Sequence, residues 1–182
     1  MSTDIMQELI INSNEEKKIV LVHSTPESAQ RTIRLAGPGA QVEVDEIFLS
    51  GEVTSNLIIV HDAVRTVSRV RTRGVVGKAQ TVYAHAKVVI PKHAQLSDSF
   101  VSQKFMLLDK SSKAEAIPSL EIEANEVKAS HAATISPLDT EKVFYLMARG
   151  ISYADASKIL IEAFLQLPKN YEQVLATWQP LK

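Results

Sequence analysis

Period-two alternation of apolar residues runs for more than half of this chain, with no helical stretch interrupting its middle. It shows at Ile19–Leu21, Ile33–Leu35, Val42–Val44, Leu57–Ile59, Val88–Ile90, Phe105–Leu107 and Leu120–Ile122. Successive side chains of a strand point to opposite faces, so each segment presents one apolar side. Valine and isoleucine are frequent, which favours a pleated backbone. Turn signals separate the segments: Gly37-Pro38-Gly39, Ser50-Gly51, Arg73-Gly74, Pro91 and Ile117-Pro118. The segments recur roughly every 13–17 residues. Strands so spaced form a coil, in which each turn buries its inward residues against the next, or else a sandwich or barrel. Spacing alone does not choose between them.

The pattern changes near Pro137. Asp139 or Thr140 caps a helix carrying Val143, Leu146 and Met147, and Gly150 stops it. Ser152 with Asp155 forms a variant capping box. It opens a second helix, with Ala156, Ile159, Leu160, Ala163 and Phe164 expected on the buried stripe. Leu167-Pro168 ends this helix, and Tyr171, Val174, Leu175 and Trp178 suit a short third one. The expected division is an N-terminal arm or short helix over 1–17, a β domain over 18–136 and a helical domain over 137–182.

Composition narrows the chemistry. The 182 residues suffice for one domain with a real core. The formal net charge of -1 gives no general attraction to nucleic acid or anionic lipid. There is no cysteine, so this chain alone offers no disulfide, thiol nucleophile or thiolate set for zinc or iron–sulfur. That fits a reducing compartment. The first residues are acidic without a long apolar run, unlike a signal peptide, and no apolar run approaches the roughly 20 residues of a membrane span.

Motifs for catalysis are missing. There is no G-x-x-x-x-G-K-[ST] loop, no G-x-S-x-G elbow and no strict six-residue repeat of the acyltransferase kind. No histidine pair has the spacing H-x-x-x-H, although His61-Asp62 and His85 could meet across turns of a coil. Arg65, Arg69, Arg71 and Arg73 make a basic stripe on one strand side. A solvated face balanced by Glu43, Asp45 and Glu52 accounts for it better than a phosphate site does, because total charge is balanced. Glu121 and Glu123 fall on an outward face. His131 is the notable ionisable group. A strand over Val127–Ile135 puts it on the apolar side with Val127, Ala129, Ala133 and Ile135, where it is a packed core imidazole, a metal ligand or part of a partner surface.

Residues Leu107 to Phe164 resemble the C-terminal core of the SufB/SufD family of iron–sulfur cluster assembly scaffolds. The residues that carry the likeness are Leu107-Leu108, Ala114-Glu115-Ala116-Ile117-Pro118, Leu120-Glu121-Ile122, Val127-Lys128, Ser130-His131, Ala133-Thr134, Leu138-Asp139, Phe144-Tyr145-Leu146, Arg149-Gly150-Ile151 and Ala154 to Phe164. The strands before them are compatible. The resemblance implies a mainly β fold, a right-handed parallel β-helix followed by a small helical C-terminal domain. It implies a non-enzymatic cytoplasmic scaffold that pairs with a SufB/SufD-like β-helix partner or with itself, and docks a Suf-type ABC ATPase through the helices. Tyr145, Arg149, Tyr153 and Phe164 are the expected docking residues. His131 matches the family histidine that faces the partner and is a proposed cluster ligand. No cofactor is then held by the chain alone, and a transient iron–sulfur cluster is shared with a partner. The competing expectation is a stand-alone structural or regulatory oligomer without cluster chemistry, and a weaker one is a β-helix enzyme for small molecules. The chain departs from the family in Ala129, where many members have cysteine, in Ala132 for glycine, and in Asn125-Glu126 for paired aspartates. Members are also longer, with an N-terminal helical region, so this chain is expected to be a shortened homologue.

Overall fold

A computed structural model describes residues 5–49 and 51–167. Among them, ten strands precede two helices: β1 (Ile5–Ile11), β2 (Glu16–His23), β3 (Glu27–Leu35), β4 (Gln41–Phe48), β5 (Val53–His61), β6 (Val67–Val76), β7 (Thr81–Ile90), β8 (Asp98–Leu107), β9 (Lys113–Ile122), β10 (Lys128–Pro137), α1 (Thr140–Met147) and α2 (Tyr153–Leu165). Odd strands form one sheet, β1-β3-β5-β7-β9, and even strands the other, β10-β8-β6-β4-β2. Every pairing is parallel. Each strand therefore pairs with the strand two places on. The chain winds as a coil of about four turns, which decides between the coil and the sandwich or barrel.

Register stacks like positions into columns. Val44, Val70 and Val101 lie one above another, with Ile19 below and His131 above. The three valines are fully buried, as are Leu57 and Ile59 of the facing sheet. Another column reads Phe48, Gly74, Phe105 and Ile135. The two phenylalanine rings meet edge to face at 5.4 Å. A Cβ on Gly74 would lie 2.3 Å from the Phe105 ring and 2.9 Å from Phe48 Cβ. The glycine is required because the Phe105 ring and the Phe48 Cβ from flanking turns fill its space.

Corners repeat as well. Asn14, Gly39, Arg65 and Leu96 all have positive φ at the odd-to-even corners. Each donates its backbone N–H to a carbonyl of the following turn: Pro38, Val64, Gln95 and Glu126 respectively. Only one is glycine, so three side chains accept a left-handed conformation in exchange for a hydrogen bond at each corner.

The interior also holds polar side chains. His23, Glu46, Ser55 and Thr72 form one bonded group and His61, Thr66, Ser68, Ser97 and Ser99 another. Buried polar atoms are tolerated when hydrogen bonded, and these groups provide each other's partners.

Asp139 caps α1 by accepting from the Glu141 and Lys142 N–H groups, and Ser152 caps α2 by accepting from Asp155 N–H. The α helices do not extend the coil. They fold back onto the outer face of the even sheet, where Val143, Ala156, Ile161 and Leu165 pack with Ile47, Val75 and Met106. Arg73 of β6 donates to Gln166 Oε1 at 2.7 Å, closing the junction.

Three expectations change. Residues Ile5–Ile11, expected in an arm, form β1 and pair with β3 along their length. The apolar residues of Ile5–Ile11 do not alternate strictly, so period two does not mark the strand. The buried stripe of α2 is Ala156, Ser157, Ile161 and Leu165, while Ile159 is exposed. Apolar residues ring this helix on several sides, and contact with Ile47 and Val75 selects the face. Arg65 sits at a corner instead of on the β6 stripe. The third helix expected over Tyr171–Trp178 lies outside the described residues.

Candidate partner surfaces

Strand β10 is the last of the even sheet and pairs only with β8 among the described residues. Its alternation is as the sequence predicts. His131 stands in line with the inward-facing Val101, Ala133 with Gln103, and Ile135 with Phe105. Among the described residues, no further turn lies above them. His131, Ala133 and Ile135 are exposed, where their counterparts one turn below are buried. His131 is therefore not a core imidazole. It projects from an alanine-rich end of the coil, and the strand edge beside it offers unpaired backbone groups.

Among the described residues, no set of three or more His, Asp or Glu side chains is placed to hold a metal. An iron–sulfur cluster would be cargo here. One imidazole can contribute a single nitrogen, and the thiolates such a cluster needs must come from another molecule.

The second surface lies on the helices. Tyr145 and Tyr153 are more than half exposed. The Arg149 guanidinium lies 3.6 Å from the Tyr145 ring centroid and donates to the Tyr145 carbonyl. This stacking presents a rigid cation on an aromatic platform. Phe164 differs: it is half-buried and packs into the core beneath the helices. Phe144, 74% exposed, is the most prominent apolar side chain of this surface, and Met147 lies open as well. The sequence carries a signal for both. Val143-Phe144-Tyr145-Leu146-Met147 is apolar on every side of one helix, and a helix resting on a sheet buries only one side.

The remaining candidates are structural. Arg71 pairs with Asp45 at 2.8 Å and Glu43 at 3.0 Å, and Arg69 with Asp98 at 3.0 Å. Burial alone would raise the Asp45 carboxyl, but the Arg71 guanidinium outweighs it and holds it below its usual range. Arg69 and Arg71 of the basic stripe are thus paired with acids, while Arg73 bonds Gln166. Glu121 pairs with Lys87. His61 and His85 do not meet. His61 is buried between Thr66 and Ser68 hydroxyls, and His85 bonds Glu115 on the outside. Burial drives the His61 pKa down to about 4, so the ring is neutral.

Comparison with known proteins agrees with this architecture. Residues 12–164 match the family model described as SUF system FeS cluster assembly, SufBD core domain. The chain belongs to the SufBD family. A SufBD-family iron–sulfur cluster assembly protein of Synechocystis is 41% identical over 47% of this chain and 19% of its own length. The iron–sulfur cluster assembly protein SufD of Escherichia coli is 39% identical over 41% of this chain and 18% of its own. A SufBD-family protein of Mycobacterium leprae is 29% identical over 79% of this chain and 41% of its own. The SufBD chain described here thus spans under half the length of these relatives. None of its described helices is long and apolar enough to cross a membrane.

Proposed function

We propose that this chain is a non-enzymatic scaffold component of a Suf-type iron–sulfur cluster assembly complex in the cytoplasm. The β10 edge would pair with a SufB/SufD-like β-helix partner or a second copy, and the α1–α2 surface would dock an ABC-type ATPase. The observation that carries the reading is the end turn, where an apolar register is kept but left uncovered with His131 in its centre. A core position without a covering turn is what a surface completed by another molecule requires. Exposed Phe144 and Tyr145, with Arg149 stacked, support the helical docking face, since aromatic and arginine side chains dominate binding energy at interfaces.

The test is co-expression with a Suf-type ATPase and a cysteine-bearing β-helix protein, followed by co-purification. Phe144→Glu with Tyr145→Glu should remove the ATPase and keep the β-helix protein. Ala133→Glu should do the reverse. If both variants retain both partners, the assignment of surfaces fails. The stand-alone oligomer is the second reading, favoured by the lack of cysteine. A stable oligomer that ignores both proteins would support it.

A further inference from the structure

The packing of the coil leaves one titratable group unexplained, at the N-terminal turn. His23 ends β2, and its ring is 1% exposed. Its Nε2 lies 3.0 Å from Glu46 Oε1, and its Nδ1 is bonded to Glu27. Glu46 is itself 1% exposed and accepts from Ser55 at 2.5 Å and Thr72 at 3.1 Å. Every strand from β2 to β6 therefore contributes to one buried group. The Phe48 ring packs 4.4 Å from the imidazole, and Arg31 stands 4.0 Å from Glu27.

The two ring nitrogens decide the chemistry. Both face carboxylates, which only accept hydrogen bonds when ionised. An imidazolium donates to both. A neutral ring has one N–H, so one nitrogen lone pair would then face a carboxylate lone pair. His61 offers the contrast, since both its nitrogens face hydroxyls that donate or accept as needed.

We propose that His23, clasped between Glu27 and Glu46, is a proton-operated latch that holds the edge strand β2 on the coil. Among the described residues β2 is hydrogen bonded within its sheet only to β4, so losing the latch frees an end and leaves the stack beneath it intact. Burial opposes the charged ring, but Glu46 and then Glu27 overcome it and raise the His23 pKa above the usual 6.5. A raised folded pKa stabilises the closed strand fully below the ordinary value. The hold is lost as pH rises through the raised one.

The experiment is hydrogen exchange of the full chain between pH 6 and 9, corrected for intrinsic rates, with the β6 peptide as internal reference. Protection of the β2 peptide relative to β6 should fall with pH. The fall is about tenfold for each unit by which the folded pKa exceeds the unfolded one. His23→Gln should abolish this dependence, and Glu46→Gln should move its midpoint to lower pH. The imidazole signal of His23 in the unaltered protein gives a reading independent of any variant's folding. A midpoint at or below the ordinary histidine value overturns the proposal. So does a β2-to-β6 ratio that is constant across the range.

Discussion

Strands β8 and β10 are neighbours in register and opposites in environment. Val101 and Phe105 face inward and are fully buried, while His131 and Ile135 occupy the next places in the same columns and are exposed. The backbone direction is the same, and only the covering turn differs. Alternation therefore reports which way a side chain points, and position along the stack decides whether it meets protein or solvent. The two histidines make the same contrast. His61, inside, is satisfied by hydroxyls and kept neutral, whereas His131, at the end of the described stack, is exposed.

The largest test of the contrast is truncation within one column. Phe105→Ala should cost about 3–5 kcal/mol of folding stability, because transfer and cavity terms add in a site that cannot collapse. Ile135→Ala, one place along, should cost less than about 1 kcal/mol. Denaturant unfolding of both variants checks this, and equal losses would break the comparison.

The interior histidine should next show itself through pH. His61 in the fold stays neutral down to about pH 4, while the unfolded ring takes a proton near 6.5. Its contribution is therefore complete above pH 6.5 and lost progressively down to about 4, by about 3 kcal/mol at most. Thermal melts at pH 7 and 4.5 should show a smaller difference for His61→Gln than for the unaltered chain.

Gly74→Ala should destabilise by about 1–3 kcal/mol, since the added methyl would meet the Phe105 ring and the Phe48 Cβ. The pair Gly74→Ala with Phe105→Leu should recover part of that loss, as unfolding midpoints would show. Smallest of all is His131→Ala, expected to shift stability by no more than about 0.5 kcal/mol. Its effect should fall on association with a β-helix partner, measured by sedimentation. A substantial drop in melting temperature with unchanged association would reverse the assignment.

Much of this was legible in the sequence because β-coils write their facing directly into alternation. The inward set Val127, Ala129, His131, Ala133 and Ile135 is assigned correctly from period two. The caps at Asp139 and Ser152 likewise follow from residue type and offset. What stayed hidden depended on neighbours far along the chain. The exposure of His131 depends on there being no turn above it. The retreat of Phe164 and the prominence of Phe144 depend on which side of each helix meets Ile47 and Val75. The His23–Glu46 contact joins residues that period and spacing do not connect, because both only read as inward-facing places on separate strands.

The folding back of the helices has a mechanical meaning. α1 follows β10 in sequence, yet α2 rests on Ile47 and Val75 and is tied to β6 through Arg73 and Gln166. A load applied to the helices therefore reaches mid-stack strands through this packing as well as the terminal strand through the β10–α1 connection. The mid-stack strands it reaches are each hydrogen bonded to a neighbour on both sides, so the load is shared across the sheet. The helices thus couple to the stack at two places, its middle and the end that bears His131.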